Sequence, residues 1–156
     1  MPTRLSRTRI GRRRARTVFA MCGIVGYAGP KSAVDVVVDG LRRLEYRGYD
    51  SAGVCAVADG ELRLAKRAGK LANLEKELSD NPLPVANLAI GHTRWATHGG
   101  PTDANAHPHA SANGRVALVH NGIIENFALL RAELADAGIT PISQTDTEIA
   151  AQLLGL

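Results

Sequence analysis

Cysteine and aromatic side chains are both scarce in this chain, and each shortage removes a class of protein. Two cysteines, Cys22 and Cys55, occur among 156 residues, at no paired spacing. That excludes a disulfide-stapled scaffold and fits a reducing, cytoplasmic compartment. Aromatic residues make up 4% of the chain against 45% hydrophobic residues overall, so a core must be built from Val, Leu, Ile and Ala. No apolar run approaches the roughly 18–20 residues that span a bilayer. Val36-Val37-Val38 is typical, short and flanked by Asp35 and Asp39. Acid is missing altogether from residues 1–20, which hold Arg4, Arg7, Arg9, Arg12, Arg13, Arg14 and Arg16. Without these seven arginines, 12 basic side chains face 15 acidic ones, so the net charge of +4 belongs to the leader alone. The body therefore lacks the basic character of a nucleic-acid binder. The leader has no apolar h-region, which excludes a secretory signal. A disordered tail, an upstream stretch with Met21 as the true start, an organelle transit peptide and a nucleic-acid-binding arm remain. We expect residues 1–21 to be disordered or absent from the mature protein, and residues 22–156 to form one domain.

What is present is an alternation of strands and helices. Cys22 to Tyr27 is short, apolar and β-branched, and stops at Gly29-Pro30, as a strand does. Val34, Val37, Val38, Leu41 and Leu44 recur at helical spacing after a possible N-cap, Ser32. Ala52–Ala58 and Glu61–Arg67 read as a hairpin about the Asp59-Gly60 turn. A short helix over Lys70–Leu78 is closed by Asn81-Pro82, and Val85–Gly91 reads as a strand. Residues 96–113 carry little periodicity and much Gly, Pro, Asn and His, a loop long enough to suggest function. Arg115–His120 reads as a strand, Asn126–Ala137 as a helix ended by Gly138, and Asp146–Leu153 as the start of another. This order fits an α+β or layered αββα sandwich. The chain stops within that last helical pattern, so we expect the sandwich to be C-terminally incomplete and the chain alone to be poorly folded.

Five segments hold reactive side chains, each with a plain alternative. Cys22 would be the first residue if Met21 were removed. Its thiol and a free α-amine, whose ordinary pKa is about 7.7–8.0, would then form nucleophile and base in one residue. Otherwise it is a small strand residue. Residues 44–53 place Arg47 between a helix and a strand, either beside an anionic group or in a solvated turn. Residues 91–99 hold the single Trp, Trp95, with Arg94 able to grip a carboxylate by two bonds, and Thr97 and His98 as donors. Their alternative is a strand end with a packed Trp. Asn121-Gly122 follows a strand and can aim an amide and a backbone N–H at one oxygen, as an oxyanion hole requires, or form a hairpin turn. Asp146 starts a helix, where acids are favoured anyway, or binds an ammonium group. The five histidines have no carboxylate or Cys at ligand spacing, so no metal is expected. Cys55 lies in an apolar run and is expected to be core.

In order along the chain stand Cys22-Gly-Ile-Val-Gly26, Arg43-Leu-Glu-Tyr-Arg-Gly-Tyr-Asp-Ser-Ala-Gly53, His92-Thr-Arg-Trp-Ala-Thr-His-Gly99, Asn105-Ala-His-Pro-His109, His120-Asn-Gly-Ile-Ile-Glu-Asn126 and Thr145-Asp-Thr-Glu148. Over residues 22–156 this resembles the N-terminal-cysteine glutamine amidotransferases. Within them it looks like the isomerising glutamine–fructose-6-phosphate aminotransferases more than the amidophosphoribosyltransferases. The resemblance implies a four-layer αββα fold of the N-terminal-nucleophile hydrolase type, with Cys22 attacking the glutamine amide. It implies Asn121 and Gly122 as oxyanion donors, Arg94 on the substrate carboxylate, and Asp146 on its ammonium. Thr97 and His98 would frame the pocket, Arg47 support the nucleophile, Trp95 gate ammonia, and His107 order the site from behind. It further implies no cofactor, no nucleic acid and no membrane. A dimeric full-length enzyme would aminate fructose 6-phosphate in a domain beyond this chain. If residues 1–21 stay attached, the Cys22 amine is an amide nitrogen and the site is silent, leaving a glutamine-binding module.

Overall fold

Side-chain alternation and helical spacing place the first elements where the sequence puts them. The computed structural model describes residues 22–45, 48–96 and 99–156. The leader 1–21, Arg47, Thr97 and His98 lie outside the described residues. Strand β1 (Gly23–Ala28) leads into helix α1 (Ala33–Arg43), and the hairpin β2 (Ser51–Ala58) and β3 (Glu61–Ala68) follows. Its turn carries Asp59 and Gly60, both at positive φ (53° and 78°), the conformation that two-residue hairpin loops demand. Helix α2 (Leu71–Asp80) and strand β4 (Leu88–Arg94) complete the first half. The four strands form one antiparallel sheet in the order β1-β4-β2-β3.

Helices α1 and α2 share a core with one face of this sheet. Val37, Leu41, Val54, Leu71 and Leu74 are all fully buried there. Each such side chain contributes on the order of 1.5–3 kcal/mol of transfer free energy. Alternation along β2 puts Ala52, Val54 and Ala56 toward the helices and sends Gly53 and Cys55 to the opposite face. A Cβ at Gly53 would lie 2.1 Å from the carbonyl oxygen of His107, so only glycine lets that backbone cross the sheet so closely.

Beyond that crossing lies the second half. Strands β5 (His109–Ala110) and β6 (Ala117–Leu118) pair antiparallel, and helices α3 (Phe127–Asp136) and α4 (Asp146–Gly155) follow. α4 packs on β5 and β6, and α3 on α4. Helices, large sheet, small sheet and helices therefore succeed one another as an αββα arrangement.

Two boundaries differ from expectation. β4 begins at Leu88, not Val85, which is 87% exposed. Pro82 and Pro84 lack the N–H a ladder needs, while the carbonyls of Ala86 and Asn87 accept from Ala33 and Gly29. The expected strand over 115–120 shrinks to Ala117–Leu118, and its partner β5 arises inside the segment read as loop. The chain between them folds back through Ser111, whose N–H donates to Val116 O at 2.9 Å.

Candidate active site

The site forms where the ends of β1 and β4 meet the loop after β6 and the start of α4. A cavity of about 40 Å³ is lined there by Cys22, His92, Arg94, Trp95, His107, His120, Asn121, Gly122, Thr145, Asp146 and Thr147. Cys22 precedes β1 and is partly exposed. The β1–β4 register sets Gly23 opposite Thr93, and Gly23 N–H donates to Thr93 Oγ1 at 3.0 Å. That pins the head of β1 so that Trp95 N–H points at Cys22 Sγ, 3.0 Å away.

Asn121 binds the same residue from the other side. Its Nδ2 donates to Cys22 O at 2.9 Å, and its Oδ1 lies 2.7 Å from His92 Nε2. Gly122 follows at φ 152°, and a Cβ there would lie 2.8 Å from His120 Nε2, so no larger residue fits the turn. Asn121-Gly122 thus leads toward α3 and makes no hairpin. The segment supplies a side-chain amide at the backbone of Cys22, in the same cavity as its thiol, and an oxyanion site requires such a donor.

Two buried charges complete the cavity. Arg94 is 4% exposed. It donates to the carbonyls of Gly99 and Gly100 at 3.2 and 3.4 Å and pairs with Asp50 at 3.7 Å. Asp50 also accepts from Ala96 N–H at 2.7 Å, tying the residue after Trp95 to the start of β2. Asp146, equally buried, is the first residue of α4 and accepts from Ile124 N–H at 2.8 Å. Thr145 caps α4 by accepting from Glu148 N–H, and Glu148 holds Ile142 and Ser143 N–H groups at 2.9 and 2.6 Å. Burial pushes Glu148 up, but those hydrogen bonds outweigh it and hold the carboxyl below its ordinary range. The Trp95 ring lies against Gly48 and is 43% exposed.

Behind the cavity stand three buried imidazoles. His92 and His107 have ring centroids 4.5 Å apart, and His107 and His109 4.8 Å. Burial pushes His92 down to about 4, against the opposing pull of its Asn121 hydrogen bond, and pushes His107 down to about 2. Burial and then Lys66 push His109 to about 3. All three are neutral at pH 7. Among the described residues, no group of three or more His, Cys, Asp or Glu is arranged to hold a metal ion.

The structure brings Cys22, Arg94, Trp95, His107, Asn121, Gly122 and Asp146 to one cavity. Asp50, His92, His120 and Thr147 have no site role in the sequence reading, and Thr145 is legible there only as a possible cap of α4. Strand alternation gave a signal for His92, because it shares a sheet face with Arg94 two positions on. Cys55 lies elsewhere, 2% exposed in β2.

Known proteins share this fold. Residues 79–155 match the family described as glutamine amidotransferase domain. A glutamine–fructose-6-phosphate aminotransferase (isomerising) of Streptomyces coelicolor is 73% identical over 134 residues, 86% of this chain and 22% of that protein. Those of Corynebacterium efficiens and Mycobacterium tuberculosis are 64% and 58% identical, with the same coverage. The chain thus spans little more than a fifth of these relatives' length. Among solved structures, the glutamine phosphoribosylpyrophosphate amidotransferase of B. subtilis matches at 29% identity and TM-score 0.67 over 85% of this chain and 29% of that one. A structure described as the allosteric regulatory enzyme of purine biosynthesis matches at 31% and 0.71 over the same shares. Fold, cavity and relatives define a glutamine amidotransferase domain of the N-terminal-nucleophile type. Within that class the chain is similar to the glutaminase portion of the isomerising glutamine–fructose-6-phosphate aminotransferases.

Proposed function

We propose that the cavity hydrolyses the side-chain amide of glutamine, with Cys22 as nucleophile and its own free α-amine as base. The amine takes the thiol proton, and the thiolate attacks the amide carbon. The developing oxyanion is met by Asn121 Nδ2 and the Gly122 N–H, donors whose removal typically costs about 10²–10³ in kcat. Collapse breaks the C–N bond, and ammonia leaves with the proton from the α-ammonium. Water then cleaves the thioester, giving glutamate and free Cys22. Arg94 binds the substrate α-carboxylate, and Asp146 its α-ammonium. Thr97 and His98 frame the pocket, Arg47 supports the nucleophile, and Trp95 gates the ammonia.

The observation that carries this is that the Trp95 N–H reaches the Cys22 sulfur while the Asn121 amide holds the Cys22 carbonyl. In the longer protein the ammonia would pass to a sugar-phosphate site, turning fructose 6-phosphate into glucosamine 6-phosphate in a cytoplasmic homo-oligomer. No described helix is long and apolar enough to cross a membrane. The chemistry requires Cys22 to be the first residue of the working enzyme. Intact mass of the active protein, with ammonia release before and after carbamylation of its α-amine, tests this. Capping should abolish turnover; persistent turnover with a blocked amine would end the proposal.

A further inference from the structure

The orientation of the Asn121 amide follows from its two neighbours. The Cys22 carbonyl can only accept, so the amide end facing it, 2.9 Å away, must be the NH₂. The amide oxygen therefore faces His92 Nε2 at 2.7 Å. An oxygen there can only accept, so His92 must carry its proton on Nε2. In a neutral ring that leaves Nδ1 bare, and His92 Nδ1 is a buried atom without a hydrogen-bond partner in the structure. The second Nδ2 proton of Asn121 is then left for the cavity.

We propose that His92 is a positioning residue: its Nε2–H holds the Asn121 amide with the NH₂ toward the nucleophile, so that the oxyanion donor is set before substrate arrives. Three features hold His92 itself. Its 1% exposure fixes the ring. Its place on β4, opposite Gly53 and Ile24, stands it on the sheet face that bears the site. The His107 ring packs behind it, 4.5 Å away. The charged and titratable groups acting on it are Arg94, His107, His120 and Asp50. Burial keeps the ring neutral among them, so the tautomer persists throughout the working pH range. A wrongly turned amide would present oxygen to a developing oxyanion, and the loss would fall on kcat more than on KM.

The proposal rests on the glutaminase assignment, and two measurements separate their failures. In the ¹⁵N-labelled full chain at pH 7, long-range imidazole correlations should show His92 protonated on Nε2 alone. The opposite tautomer, or an imidazolium, would overturn the proposal without any variant having to fold. In the form beginning at Cys22, His92→Phe should lower kcat about 10–100-fold and change KM for glutamine less than about twofold, with His92→Gln restoring most of it. In an Asn121→Ala background, His92→Phe should add little, because the two act as one unit. Equal losses in both backgrounds, or a loss confined to KM, would refute the positioning role while Cys22→Ala still tested the glutaminase itself. Should Cys22→Ala retain turnover, the parent assignment falls and takes this proposal with it.

Discussion

The two cysteines put the same side chain in opposite surroundings. Cys22 stands at the open head of β1, partly exposed, with a backbone N–H on its sulfur. Cys55 sits in the middle of β2, 2% exposed, opposite Leu64 on one side and Ile90 on the other. Burial pushes its thiol up to about 11, where less than about 1% is thiolate at pH 8. A buried thiol is a small hydrophobe even where a backbone N–H reaches it, as that of Arg63 reaches Cys55, whereas a partly exposed one can serve as a nucleophile. Reactivity here is a property of location, and neither cysteine advertises it by its immediate neighbours alone.

The sharpest way to break the comparison is to delete each sulfur in turn. Cys22→Ala should reduce ammonia release from glutamine by at least about 10⁴-fold, since no other group can form the thioester. Cys55→Ala should leave turnover within about twofold, and brief alkylation at pH 7.5 should mark Cys22 alone by peptide mass mapping. Loss of activity in Cys55→Ala despite a normal unfolding transition would undo the distinction.

Substrate charge recognition should follow in size. Asp146→Asn keeps the shape that accepts from Ile124 N–H but removes the charge proposed for the substrate ammonium. A charged hydrogen bond is worth about 1.5–3 kcal/mol, so kcat/KM should fall about 10–150-fold, mostly through KM. Gly53→Ala tests the scaffold and not the chemistry. With its Cβ 2.1 Å from the His107 carbonyl, a backbone segment must move, costing about 2–4 kcal/mol in urea unfolding.

The elements legible in the sequence are those whose pattern is local. α1, the β2–β3 hairpin with its Asp59-Gly60 turn, and α4 with Thr145 at its cap follow from periodicity and turn chemistry. β5 is not legible, because a two-residue strand has no period to read, and β6 is legible only as a longer strand over 115–120 that the structure shortens. The β4 boundary was missed because Val85 looks like a strand residue until Pro82 and Pro84 are weighed. Of the site, the residues with distinctive chemistry were readable in their motifs. Asp50 acts through a backbone N–H, as an anchor for Ala96, and such a role carries no composition signal. His92 acts through an amide 29 residues away, a pairing that only the folded chain reveals.

The smallest expected effect concerns Cys55 and alkali. Its pKa of about 11 in the folded chain exceeds the ordinary thiol value of 9.0, so between these values the native state holds more proton than the unfolded one. Stability from this group is full below about pH 9 and is lost as pH rises toward about 11. Tyr49, pushed up to about 12 first by burial and then by its bond to Glu45, adds a loss of the same sign at still higher pH. Lys66, pushed down by burial, opposes both. A single pH profile therefore mixes three groups, and the difference between wild type and Cys55→Ala isolates one. Urea midpoints at pH 8, 9, 10 and 11 should draw together as pH rises and then cross. The offset at pH 8, about 0.5–1.5 kcal/mol from the small cavity, should shrink with each step and reverse sign by pH 11, because a thiol shift from 9.0 to about 11 outweighs it. Parallel curves would mean that Cys55 is not insulated from solvent, and burial would then no longer separate it from Cys22.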